Sequence, residues 1–181
     1  MAMADKEIPT GKKRNRRPGL LLALVLAQML FLLGLAGSYY AVGWWGKEIR
    51  LQTVPVDPRD LLYGDYVTLQ YEISRLKPEL WKGGGEQPEQ GDVVYVVVKP
   101  GGNGVHSAAG IYGDKPSVGE GEAVLKGRVD YSWNEAIVVK YGLERYYIPE
   151  GTGKELEQRA GDLIVQVKVA SWGQSRIVGL E

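Results

Sequence analysis

Residues 57 to 73 read Asp-Pro-Arg-Asp-Leu-Leu-Tyr-Gly-Asp-Tyr-Val-Thr-Leu-Gln-Tyr-Glu-Ile. The first half is punctuated by Asp57-Pro58 and Gly64-Asp65. Proline fixes φ and lacks an N–H, and glycine permits positive φ, so the chain turns there. The second half alternates. Val67, Leu69, Tyr71 and Ile73 fall on one side of an extended backbone and Tyr66, Thr68 and Gln70 on the other, which predicts a strand over 66–73 with one face in a core.

Upstream lies a segment of another kind. From Leu20 to Val42 no side chain is charged, and Gln28 is the only strongly polar one. At about 1.5 Å per residue this run reaches roughly 35 Å, enough for a hydrocarbon core of about 30 Å with some tilt. The sequence therefore predicts a transmembrane helix over residues 20–43, closed at the headgroup layer by an aromatic belt of Tyr39, Tyr40, Trp44 and Trp45. Residues 1–19 form a basic arm, in which Lys6, Lys12, Lys13, Arg14, Arg16 and Arg17 outnumber Asp5 and Glu7. Under the positive-inside rule the arm is cytoplasmic and residues 46–181 are extracytoplasmic. Gly34-Leu35-Ala36-Gly37-Ser38 would suit a cleaving peptidase. The apolar run is nevertheless longer than a cleaved h-region and ends in rings that a discarded peptide does not need, so an uncleaved signal anchor is expected.

Residues 46–181 hold 16 basic and 20 acidic side chains, which offers no cationic excess for nucleic acid. With no cysteine and one histidine, His106, the chain cannot build disulfides, thiol nucleophiles or multi-histidine metal sites, and no metal or cofactor is expected. Further strands are expected at 49–54, 92–99, 105–112, 123–129, 135–141, 162–170 and 175–180, divided by Gly/Pro-rich turns. Residues 143–148 fit either a strand or a short helix, and 154–159 read as one helical turn. Asp92 to Lys99 is too apolar for a surface strand and belongs inside a sheet. Residues 82–91 have only the Pro88 ring to bury and form an exposed loop. The fold class is mainly β: an N-terminal single transmembrane helix followed by a small antiparallel β barrel or sandwich domain.

Chemistry has few places to sit. Signal peptidases share a similar layout, with an anchor, a catalytic serine, then Gly-Asp and an alternating strand. Here Pro55 stands where the nucleophile would be, the nearest hydroxyls are Thr53 and Thr68, and no serine occurs between Ser38 and Ser74. At most, the layout suggests a catalytically dead relative of such β domains. The second candidate is a carboxylate cluster: Asp57, Asp60 and Asp65 around Arg59, and Glu144 and Glu150 beside Arg145. Two converging carboxylates can share a proton, hydrolyse a glycoside or hold Ca²⁺; paired with the arginines, they instead make two clamps that fix turn geometry. Gly-Asp also opens strands at Gly91-Asp92 and Gly161-Asp162, which favours a turn role for Asp65. Trp81, Tyr112, Tyr131 and Trp133 either line a groove for sugar or peptide or fill the rim of a core, the commoner use of such rings. His106 has no identifiable partner and reads as an ordinary residue.

Gly64, Asp65, Tyr66, Leu69 and Tyr71 spell Gly-Asp-Tyr-x-x-Leu-x-Tyr, and Tyr141 to Gly151 reads Tyr-Gly-Leu-Glu-Arg-Tyr-Tyr-Ile-Pro-Glu-Gly. In both motifs the chain resembles the GDYXXLXY family of bacterial membrane-anchored proteins, with the resemblance running from Asp57 to about Glu157. The resemblance implies signature positions at Gly64, Asp65, Tyr66, Leu69, Tyr71, Tyr141, Glu144, Arg145 and Glu150, with unassigned roles. It also implies an accessory role beside a multi-spanning membrane protein, with no known catalytic residue. The expected function is thus a membrane-anchored extracytoplasmic accessory or scaffold that works at the lipid bilayer with a polytopic partner. The competing expectation is a membrane-tethered hydrolase in which Asp57, Asp60 or Asp65 faces Glu144 or Glu150.

Overall fold

The computed structural model describes residues 17–55, 66–133, 135–147 and 161–181. Asp57, Asp60, Gly64, Asp65 and Glu150, Arg59 and the helical turn expected at 154–159 lie outside the described residues. The chain divides into two compact units, Met1–Ser38 and Tyr39–Glu181.

The described part of the first unit is helix. It belongs to α1 (Arg17–Trp45), a run of leucine, alanine and other good helix formers whose one proline sits in the first turn, where its missing N–H breaks no bond. Gly19–Trp45 contains an 18-residue stretch with a mean hydropathy of 2.5 and is long and apolar enough to cross a membrane. Its apolar side chains point outward all round, with Leu20, Leu30 and Phe31 exposed. A helix that is apolar on every side is at home in lipid, which supports single-pass membrane anchoring. The helix ends two residues beyond the expected 43.

The second unit begins with the last turns of α1. Val42 is buried, the Gly46 N–H donates to Val42 O at 2.9 Å, and Lys168 Nζ donates to Gly43 O at 2.5 Å. Eleven strands follow among the described residues: β1 (Lys47–Val54), β2 (Tyr66–Thr68), β3 (Gln70–Tyr71), β4 (Arg75–Leu76), β5 (Val93–Pro100), β6 (His106–Tyr112), β7 (Ala123–Trp133), β8 (Ala136–Lys140), β9 (Arg145–Tyr147), β10 (Ile164–Val169) and β11 (Ser175–Leu180). They pair in antiparallel fashion as a five-stranded sheet β4-β8-β7-β5-β6, a four-stranded sheet β11-β10-β1-β3 and a ribbon β2-β9, curled into a half-barrel. β5 is flanked on both sides, as its apolar run requires. Within the stretch expected as strand or short helix, Arg145–Tyr147 form a strand. β7 continues past 129 because a bulge between Val129 and Tyr131 lets it bend and keep pairing with β8.

The single strand expected over 66–73 is cut into pieces. β2 pairs with β9, β3 pairs with β1, a 3₁₀ turn occupies Glu72–Ser74, and β4 pairs with β8. Eleven residues thus visit all three sheets. The alternation survives the partner changes, since Val67, Leu69, Tyr71 and Ile73 are each at most 3% exposed. They join Ile49, Leu51, Val96, Leu125, Ile137 and Val165 in one core cluster. Sheets that curl around a common core need a strand that bends from one to the next, and this segment supplies it.

Candidate functional site

The two signature motifs meet inside the core. The Tyr71 side chain is fully buried, and its phenol donates to Leu143 O at 2.7 Å. Tyr141, also buried, returns the arrangement: its phenol donates to Ile73 O at 2.6 Å. Each tyrosine therefore fastens the backbone beside the other. The Leu69 N–H donates to Glu144 O at 2.8 Å, and the β2–β9 ribbon pairs Val67 with Tyr146 and Thr68 with Arg145. Burial, and secondarily the nearby Glu144 carboxylate, pushes both phenols well above the ordinary tyrosine range. They are permanent donors to carbonyls, not proton-transfer groups.

Glu144 serves the same assembly. Its Oε1 accepts the Tyr141 N–H at 2.5 Å across a turn in which Gly142 takes φ +76°, a region that L side chains avoid. Among the described residues no ion pair joins Glu144 to Arg145, and Glu150, the other carboxylate expected beside that arginine, lies outside them. Arg145 turns outward, with its guanidinium 5.2 Å from the centroid of the Tyr66 ring. Tyr66 faces Tyr147 across the ribbon at 6.0 Å between centroids, and Tyr147 is 72% exposed. The described signature positions thus divide: Leu69, Tyr71, Tyr141 and Glu144 build the interior, whereas Tyr66 and Arg145, with Tyr147, form an outward aromatic and cationic ladder. Sequence reasoning missed Tyr147; its place two residues beyond Arg145, on the same face of a strand, was the available signal.

The other candidates resolve individually. Thr53 is buried, donates through Oγ1 to Leu163 O at 2.9 Å and accepts the Leu163 N–H at 2.8 Å, so its hydroxyl fastens β1 to the residue before β10. Thr68 is exposed on β2. His106 has a partner after all: Nδ1 accepts the Arg50 N–H at 3.3 Å. Trp81 packs partly buried against the core, and Tyr112 is half-buried beside Gly110. Tyr131 and Trp133 instead face outward and line a shallow open groove of about 380 Å³ with Pro88, Glu89 and Gln90. The four rings do not form one surface.

Neither curated proteins nor solved structures yield a match to this chain. A family model described as GDYXXLXY protein matches residues 28–180, which takes in the end of α1, both motifs and every described strand, and the chain belongs to the GDYXXLXY family.

Proposed function

We propose that this protein is a non-enzymatic accessory or scaffold, anchored by α1 with its N-terminus cytoplasmic, whose extracytoplasmic β domain binds a polytopic membrane protein. The orientation rests on the basic arm preceding the span. One observation carries the functional reading: among the described residues, the signature side chains either hold the core together or, as Tyr66 and Arg145, stand beside Tyr147 on the outer face of the ribbon. Exposed tyrosine and arginine supply contact area and directed hydrogen bonds at modest entropy cost, as protein interfaces commonly use them. The hydrolase reading loses support at Glu144, where Oε1 is engaged by the Tyr141 N–H.

The test is affinity purification of the cross-linked full-length protein from its native membrane, comparing wild type with the double variant R145E/Y147A. The wild type is expected to carry a multi-spanning protein that the variant loses while its melting temperature holds. A well-folded variant that retains the partner, or a wild type that carries none, overturns the proposal.

A further inference from the structure

At about 1.5 Å per residue, Gly19–Ser38 spans roughly 30 Å, the thickness of a bilayer's hydrocarbon core. Tyr39 is then the first residue at headgroup depth. From there the helix surface changes character. Tyr39, Tyr40, Trp44 and Trp45 are 47, 59, 75 and 77% exposed, rings of the kind that settle among lipid headgroups. The same turns carry two cations from the sheet. The Arg176 guanidinium lies 4.5 Å from the centroid of the Tyr39 ring, and Lys168 Nζ reaches Gly43 O at 2.5 Å.

Lys168 and Arg176 are directly opposite each other on β10 and β11, an arrangement that like charges disfavour. Glu48 stands opposite Lys168 on β1, and among the described residues no ion pair joins it to either cation. Lys168 spends its ammonium in part on the carbonyl at the helix C-terminus. Arg176 rests over the Tyr39 ring, and among the described residues its N–H donors have no hydrogen-bond acceptor. A planar fork of donors, backed by a second cation and held at headgroup depth, matches the phosphate of a lipid.

We propose that Arg176, supported by Lys168 and seated on Tyr39, binds the phosphate of an anionic phospholipid in the leaflet where α1 emerges. The inference rests on α1 crossing the bilayer and is independent of any protein partner or of which leaflet this is. The contact would hold the domain at a fixed level on the membrane.

The experiment is native mass spectrometry of the full-length protein released from nanodiscs containing equal phosphatidylglycerol and phosphatidylcholine. Wild type is expected to retain phosphatidylglycerol preferentially, and Arg176→Gln to lose about fivefold of that preference, the effect of about 1 kcal/mol per basic residue at a membrane surface. Arg176→Lys, which keeps the cation, is expected to keep most of it. Equal retention of the two lipids by wild type, or an unchanged preference in a folded Arg176→Gln protein, overturns the proposal. Should that variant fail to fold, Lys168→Gln and a salt series on wild type replace it. A preference that ignores both Lys168→Gln and ionic strength overturns the proposal equally.

Discussion

Tyr71 and Tyr141 are large, sit where the alternation demands apolar side chains, and carry one polar atom each into the core. Such an atom is tolerable only if it finds a partner, and here each finds a backbone carbonyl beside the other tyrosine. Replacing either with phenylalanine keeps the ring but orphans a buried carbonyl, at a cost of about 1–3 kcal/mol. Because both bonds fix the same junction, between residues 71–73 and 141–143, the losses are expected not to add. Denaturation of Tyr71→Phe, Tyr141→Phe and the double variant would give a coupling of at least about 0.5 kcal/mol. Strict additivity would mean that the two bonds act independently. That Tyr71 points inward was legible from the 66–73 pattern. Its partner was not, because Leu143 lies 72 residues away and contributes only a main-chain oxygen, which every residue possesses.

β1 illustrates what holds at the level of an element. One edge pairs with β10 along Lys47–Gln52, while β3 covers the opposite edge only at Thr53 and Val54. On that opposite side the Arg50 N–H is taken by the His106 imidazole, so a side chain stands in for a missing strand. Nδ1 can accept only while it is unprotonated. Burial, with the Lys47 charge in a lesser role, holds the His106 pKa below its ordinary 6.5. The unfolded chain thus takes up this proton at a higher pH than the folded one, and the histidine's contribution, complete above about pH 6.5, is lost as pH falls through the depressed value. His106→Asn, whose Oδ1 reproduces the acceptor without titrating, should flatten the acid side of a melting-temperature profile between pH 7 and 5. An unaltered slope would remove His106 from the acid response. Strand positions and the inward faces were readable from alternation because burial is imposed residue by residue. The two partner changes within 66–76 were not, because short strands take their hydrogen-bond partners from whatever the curled sheets bring alongside.

The whole molecule joins a span that lipid must solvate to a domain that water must solvate, and the charges flanking the span decide which way the join faces. Before it, six basic side chains stand against two acidic ones; residues 46–181 carry 16 basic and 20 acidic. Translocation resists lysine and arginine close to a span and is nearly indifferent to a whole domain, so the proposed orientation follows from the arm. The far terminus suits a reporter. β11 is an edge strand, and Glu181 is tied to Ile164 through both backbone N–H and C=O, with its carboxylate held by Arg50 and Gln166. A fusion joined after Glu181 by a flexible linker therefore leaves these contacts intact. Alkaline phosphatase attached there is expected to be active and green fluorescent protein dark, since the first folds outside the cytoplasm and the second within it. Neutralising Lys12, Lys13, Arg14, Arg16 and Arg17 together should lower the phosphatase signal and raise the fluorescence, because the arm would then no longer resist translocation. A fluorescent fusion on the unmodified chain would reverse the orientation while leaving the span and the interlocked tyrosines unaffected, since neither depends on which side of the bilayer the domain occupies.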